Sequence, residues 1–359
     1  MKATLALLLI ALALPASAAE KVVQFYGWAE YVGVKTLKAF ETQTGIKVQY
    51  DTFDSADVLE TKLLTGQSGY DVVVPSIAML DRLLQAKALQ PSGIQQTQRL
   101  GELDPVLLSQ LATVDQGNLY AVPYTWGTTG MAINRKEIEK RIPDAPINSF
   151  DLLFKPEYAS KLKECGISVV DAPQEVISMA LHYLGKSPYS KDRADLNAVQ
   201  ALLTQLHPSV RYIGTGTQSS DLANGDLCLA LTYSGDAVLA RIMAETAKKP
   251  FDIDYVIPRE GTLNWIDTLA IPVDAPHPEE ARAFIEFITR PESLADLTNS
   301  LYYANANTAA TRLIDKSIAD NGGIYPSAAV RNTLFGEEPM ALQLMRERTR
   351  VWSNFRSQR

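Results

Sequence analysis

Val22-Val23-Gln24-Phe25-Tyr26, then Val34, Leu37 and Phe40 at helical spacing, then Gly45, then Ile46-Lys47-Val48-Gln49-Tyr50: this stretch decides the fold. Its outer runs are rich in β-branched and aromatic residues and read as strands, while the middle run places its apolar side chains on one helix face. Gly45 stands where a helix C-terminus favours a left-handed residue. A second helix, starting near Asp54-Ser55, leads to Asp71-Val72-Val73-Val74-Pro75-Ser76. That run is apolar on both sides of the chain, as a strand inside a parallel sheet requires, and it stops at the kind of edge where open α/β sheets place ligands.

The alternation continues, which makes the fold class α/β with a mainly parallel sheet. Strands are expected at 131–134, 167–170, 211–213 and 227–233, with helices at 176–184 and 198–206 between them. From Pro258 the texture of the first part returns, with a strand over 265–272 and a helix opened by Pro278-Glu279-Glu280, where proline suits the first turn. A chain of 359 residues exceeds what one hydrophobic core commonly serves, so two lobes are expected.

The N-terminus sets the compartment. Lys2, an apolar run over 5–14 and Pro15-Ala16-Ser17-Ala18 form a secretory signal peptide, 1–18, with mature protein starting at Ala19. The apolar run is too short to span a bilayer, nothing later approaches such a length, and no membrane insertion is expected. With 34 basic and 41 acidic residues the net charge is −7, which disfavours nucleic acid as a partner and favours a cationic ligand. In an oxidising space the two cysteines, Cys165 and Cys228, tend to pair, and a loop of that length gains about 4 kcal/mol from closure; the alternative is two buried free thiols.

A secreted hydrolase is the rival class, but its machinery is missing from the sequence. There is no G-x-S-x-G and no H-E-x-x-H, and Gly185-Lys186-Ser187 lacks the earlier P-loop glycine, position 180 being Ala180. Three scattered histidines, His182, His207 and His277, and no C-x-x-C give no metal site, so no cofactor and no enzymatic activity are expected. What recurs instead is an aromatic residue or a carboxylate just past a strand end: Trp28 and Tyr31, Ser76, Glu175, Tyr233 with Asp236, Trp265 with Asp267, and Tyr302-Tyr303.

Eight ordered segments resemble the periplasmic putrescine/spermidine-binding proteins of polyamine ABC transporters. They are Tyr26-Gly27-Trp28-Ala29-Glu30-Tyr31, Phe53-Asp54-Ser55, Asp71-Val72-Val73-Val74-Pro75-Ser76, Pro123-Tyr124-Thr125-Trp126-Gly127-Thr128-Thr129-Gly130, Asp171-Ala172-Pro173-Gln174-Glu175-Val176, Leu222-Ala223-Asn224-Gly225-Asp226, Tyr233-Ser234-Gly235-Asp236 and Tyr303-Ala304-Asn305-Ala306-Asn307. The resemblance implies the type II periplasmic binding protein fold, two α/β lobes joined by crossover hinge segments. The expected division is 19–128 plus 259–305 for one lobe and 129–258 plus 306–359 for the other. It also implies a monomer in the periplasm that takes a polyamine in the interlobe cleft and hands it to an inner-membrane ABC permease. A membrane sensor is the alternative recipient.

Carried over by resemblance, Trp28, Tyr31, Tyr233, Trp265 and Tyr303 form an aromatic box, Glu175, Asp236 and Asp267 hold ammonium groups, and Ser76 adds a hydrogen bond. The family's paired cysteines match Cys165 and Cys228. Three positions depart from the putrescine type: Ala29-Glu30 replace a small hydroxyl residue and Asp, and Tyr233 replaces a Trp. Trp265, and Glu337 where spermidine binders carry Gln, favour spermidine over putrescine; Asp236 and Ala172 resemble the putrescine type. The tyrosine pair Tyr302-Tyr303 also resembles that of ferric-binding proteins with similar architecture, which leaves an iron or other cation binder as the second reading.

Overall fold

The computed structural model describes residues 21–357, so the expected leader and its cleavage point near Ala18 lie outside the described residues. Strand β1 (Val22–Gly27) pairs in parallel with β2 (Lys47–Thr52), Val22 lying opposite Lys47. The helix between them, Val34–Thr44, ends at Gly45 with φ 71°, the left-handed conformation that glycine adopts without a Cβ penalty. β3 (Val72–Val73) pairs with the other edge of β1, also in parallel, and β4 (Leu89–Gln90) follows a helix at Ile77–Gln85.

β5 (Ala121–Asn134) is the backbone of the molecule: fourteen residues, every one buried. Only 131–134 was expected as strand from the sequence. Pro123, Gly127 and Gly130 hide the remainder, because breakers lower strand propensity while burial and two sets of neighbours raise it. Beyond β5, β6 (Ile167–Val169) lies between β7 (Val210–Ile213) and β8 (Leu229–Tyr233), parallel to both. β8 and β9 (Ile253–Val256) run antiparallel to the end of β5.

β10 (Leu263–Pro272) returns antiparallel along the start of β5, with a register shift between Asp267 and Thr268. Two short strands complete the sheet: β11 (Ala304–Asn305) on β5 and β12 (Phe335–Gly336) on β10. The main order is β2-β1-β3-β10-β5-β8-β6-β7, so the pair β5 and β10 stands between two mainly parallel halves.

Each half has its own core. Phe25, Phe40, Leu80, Leu269 and Phe284 belong to the first, and Phe40 meets the Phe284 ring edge-on at 5.0 Å. Full burial of such a ring contributes about 1.5–3 kcal/mol. Phe150, Ile167, Val176, Leu203 and Leu231 belong to the second, closed from outside by Trp352 and Phe355 of the C-terminal helix Leu342–Ser357. A smaller cluster under Ala132, Leu222 and Ala240 lies beside it. Ala306, Ala310, Ile314, Ile318 and Ile324 pack in the first core.

Cys165 and Cys228 form the expected disulfide, their Cα atoms 5.5 Å apart, tying the chain before β6 to the chain before β8. Among the described residues no helix is long and apolar enough to cross a membrane.

Candidate functional site

The residues singled out above converge where β5 and β10 leave one core for the other. Tyr31 lies on the loop after β1, held from behind: its N–H donates to the Tyr50 hydroxyl (2.8 Å) and its carbonyl accepts from the Tyr124 hydroxyl (2.7 Å). So fixed, its own hydroxyl donates to Asp267 Oδ2 at 2.6 Å and accepts from Thr125 Oγ1 at 3.3 Å. Trp265 and Asp267 share one face of β10 because strand side chains alternate. The Trp265 ring meets Tyr233 at 6.0 Å and Tyr303 at 5.2 Å, both edge-on. Gly127 makes room for it, since a Cβ there would come within 2.5 Å of the indole.

Glu175 and Asp236 each occupy the first turn of a helix, Pro173–Tyr183 and Ser234–Thr246, where the aligned peptide dipoles favour an anion. Glu175 accepts from Thr129 Oγ1 (2.7 Å) and from the Tyr233 hydroxyl (3.2 Å); Asp236 accepts from the Tyr303 hydroxyl (2.9 Å). Glu337 follows just past β12, and the backbone N–H groups of Ile266 and Ala78, the latter in the first turn of the helix that follows Ser76, act to lower its pKa. Its Oε2 is buried with no hydrogen-bond partner.

Four carboxylates thus share one neighbourhood, since Tyr233 feels the charges of Glu175, Asp236 and Asp267, and Glu337 those of Glu175 and Asp267. Among the described residues none of them forms an ion pair with a lysine or arginine. Burial pushes Asp267 up to about 7, against the lowering by Tyr31, and the charge of Glu175 adds to the rise. Burial also raises Glu175 and Asp236, partly offset by their hydroxyl donors. Glu337 is raised well above the usual carboxylate range by burial and then by the charges of Glu175 and Asp267. Such a cluster repels itself unless it holds protons or receives a cation.

Not every candidate joins this set. Trp28 packs on Phe53 at 4.4 Å and is partly buried. Ala29 and Glu30 are exposed, Glu30 with φ 63°. Ser76 approaches Asp267 through a backbone bridge, and its side chain makes no cap to the helix it precedes. Conversely, Tyr50, Tyr124, Thr125 and Thr129 support the site, and reasoning from the sequence gave them no role. Three of them lie in the quoted stretch 123–130, but neutral hydroxyls in a buried strand carry no signal of their own.

Over residues 35–326 the chain matches the family described as bacterial extracellular solute-binding protein. The chain belongs to that family. It is 40% identical over 95% of its length to the putrescine-binding periplasmic protein PotF of Escherichia coli, covering 93% of that protein, and 41% identical to SpuD of Pseudomonas aeruginosa at the same coverage. The spermidine/putrescine-binding periplasmic protein of Escherichia coli shares 33% identity over 89% of this chain and 88% of its own. Among solved structures, a putative spermidine/putrescine ABC transporter protein from Listeria monocytogenes superposes with TM-score 0.83 at 28% identity, over 94% of this chain and all of that one. The resemblance read in the sequence therefore holds, and the architecture is that of the two-lobed periplasmic binding proteins.

Proposed function

We propose that this chain captures an aliphatic polyamine between its lobes in the periplasm and delivers it to an inner-membrane ABC permease, performing no chemistry on it. The observation that carries this reading is the group of four carboxylates, Asp267 buried and Glu175, Asp236 and Glu337 partly buried, beside the rings of Tyr233, Trp265 and Tyr303, with no basic side chain among the described residues paired to them. A polyamine is a methylene chain with charges on its nitrogens. It needs flat apolar walls and desolvated anions, and each ammonium over a ring gains about 0.5–2 kcal/mol. Trp265, Tyr233 and Tyr303 supply the walls with Tyr31 and Trp28; Glu175, Asp236 and Asp267 take the ammonium groups; Ser76, Ala29 and Glu30 line the first-lobe rim.

We take the lobes as 19–128 plus 259–305 and 129–258 plus 306–359; the packing of Ala306, Ala310, Ile314, Ile318 and Ile324 in the first core favours moving 306–324 to the first. Among the ligands of this class we favour spermidine over putrescine. Glu337 offers a fourth acceptor for a third nitrogen, close enough to the other acids that the charges of Glu175 and Asp267 raise its pKa. The iron reading has less support, since the two tyrosines part company: Tyr302 caps the helix Pro291–Leu301 and packs on the first core, whereas Tyr303 faces Asp236.

Calorimetry against putrescine, cadaverine, spermidine, spermine, agmatine, basic amino acids and Fe(III) tests the proposal. Polyamines should bind, spermidine more tightly than putrescine, and Glu337→Gln should shrink that difference. Binding of Fe(III) or an amino acid without binding of any polyamine would overturn the class. Putrescine binding at least as tightly as spermidine would overturn the preference alone.

A further inference from the structure

Arg348, on the C-terminal helix, is wholly buried, yet among the described residues its guanidinium forms no ion pair with a carboxylate. It donates to Ser178 Oγ at 2.8 Å, to the Pro188 carbonyl at 2.6 Å and to the Gln174 carbonyl at 3.4 Å, and it lies over the Tyr189 ring at 5.7 Å. Its Nε has no partner. Burial lowers its pKa to about 10, which leaves it charged at neutral pH. A buried charge held by neutral groups is a poor choice for stability alone, because an apolar side chain of similar size packs there without the desolvation cost.

The partners of Arg348 explain its presence better than its energy does. Gln174 and Ser178 flank Glu175 on the helix that delivers this carboxylate to the cleft. The Tyr189 hydroxyl donates to the carbonyl of Gly336 at 2.7 Å, one residue before Glu337. The same C-terminal helix grips Asp171, at the entry to the Glu175 helix, through Trp352 Nε1 (2.7 Å) and Arg356 (2.9 Å). We infer that Arg348 is a positioning residue, one buried fork that sets the places of Glu175, through Gln174 and Ser178, and of Glu337, through Tyr189 and Gly336. Charge recognition in a closed site tolerates displacements of only about 0.5 Å, so two acids held from one point stay at a constant spacing. This inference rests on the polyamine reading for its functional meaning, but its geometry is independent of the ligand.

The test measures spermidine affinity and amide hydrogen exchange in the wild type, Arg348→Met, Tyr189→Phe, the pair Glu175→Gln/Glu337→Gln, and that pair combined with Arg348→Met. Arg348→Met should weaken spermidine about tenfold and Tyr189→Phe about threefold. In the Glu175→Gln/Glu337→Gln background the Arg348→Met penalty should shrink below about twofold, because the groups it positions are gone. Exchange should rise together at 173–178 and 336–338. A lower Tm with unchanged affinity, or an equal penalty in both backgrounds, marks Arg348 as merely structural and overturns the inference. If Arg348→Met does not fold, Tyr189→Phe, which loses one hydroxyl, decides: faster exchange at 336–338 with weaker spermidine binding supports the inference, and neither change sinks it. If the wild type binds no polyamine, the functional reading falls, and the exchange pattern alone decides the positioning.

Discussion

Asp267 lies on β10 with the Tyr31 hydroxyl as its hydrogen-bond donor and the charge of Glu175 opposing its ionisation. In the folded protein its pKa is about 7, whereas an unfolded aspartate titrates near about 3.9. The folded protein therefore binds the extra proton between those values, and the stability linked to it is lost as pH rises through about 7. An ammonium needs the ionised carboxylate and must displace that proton. Polyamine affinity should thus climb from pH 5.5 to pH 8, and the ligand-induced rise in Tm should grow alongside. Asp267→Asn should cost about 3–5 kcal/mol of affinity and flatten the climb. Calorimetry at the two pH values checks both; an Asp267→Asn protein that keeps wild-type affinity would leave Asp267 as a structural partner of Tyr31. The bulk of this residue-level picture was legible beforehand, because carboxylates and large aromatics past strand ends announce themselves. The Thr129 hydroxyl on Glu175 and the Tyr124 clamp on Tyr31 did not, since each acts across a sequence gap that local pattern does not bridge.

At the scale of elements, β5 and β10 do two jobs. They carry the chain between the cores, and they present Trp265 and Asp267 to the cleft on one face. Their close approach depends on Gly127, whose missing side chain is the seat of the Trp265 ring. Gly127→Ala should push the indole out of place and weaken polyamine binding about tenfold or more, with a loss of about 1–3 kcal/mol in stability from overpacking. Trp265→Phe in the same background should restore part of the affinity, because a smaller ring tolerates the added methyl group. Intrinsic Trp fluorescence together with calorimetry reads both effects, and unchanged binding by Gly127→Ala would show that the ring has another place to lie. The opening strand–helix–strand unit was readable from periodicity, whereas the length of β5 was not. A strand broken by Pro123 and two glycines has low local propensity, and its pairing partners on both edges come from residues at least 96 positions away.

For the whole molecule, two cores and a two-strand crossing give a body that can close on its ligand. On the proposed assignment, first-lobe contacts from Tyr31 and Asp267 and second-lobe contacts from Glu175, Tyr233 and Asp236 are made together only when the lobes meet, so ligand should favour the closed form by its differential affinity. Small-angle scattering should show the radius of gyration fall when spermidine saturates the protein. An unchanged radius in a protein that binds would mean the closed cleft is already the resting state. The sequence by itself determined the α/β class, the family, the disulfide and most of the acids and aromatics that the fold brings into contact, because period, composition and motif order are local properties of the chain. Tertiary structure alone decided that Glu337 feels the charges of Glu175 and Asp267, that Ala29 and Glu30 are exposed, that Ala306, Ala310, Ile314, Ile318 and Ile324 pack in the first core, and that Arg348 donates to the helix of Glu175. Those facts depend on which distant segments are brought together, and on how burial shifts the cost of a charge, and neither is written in any single stretch of the chain.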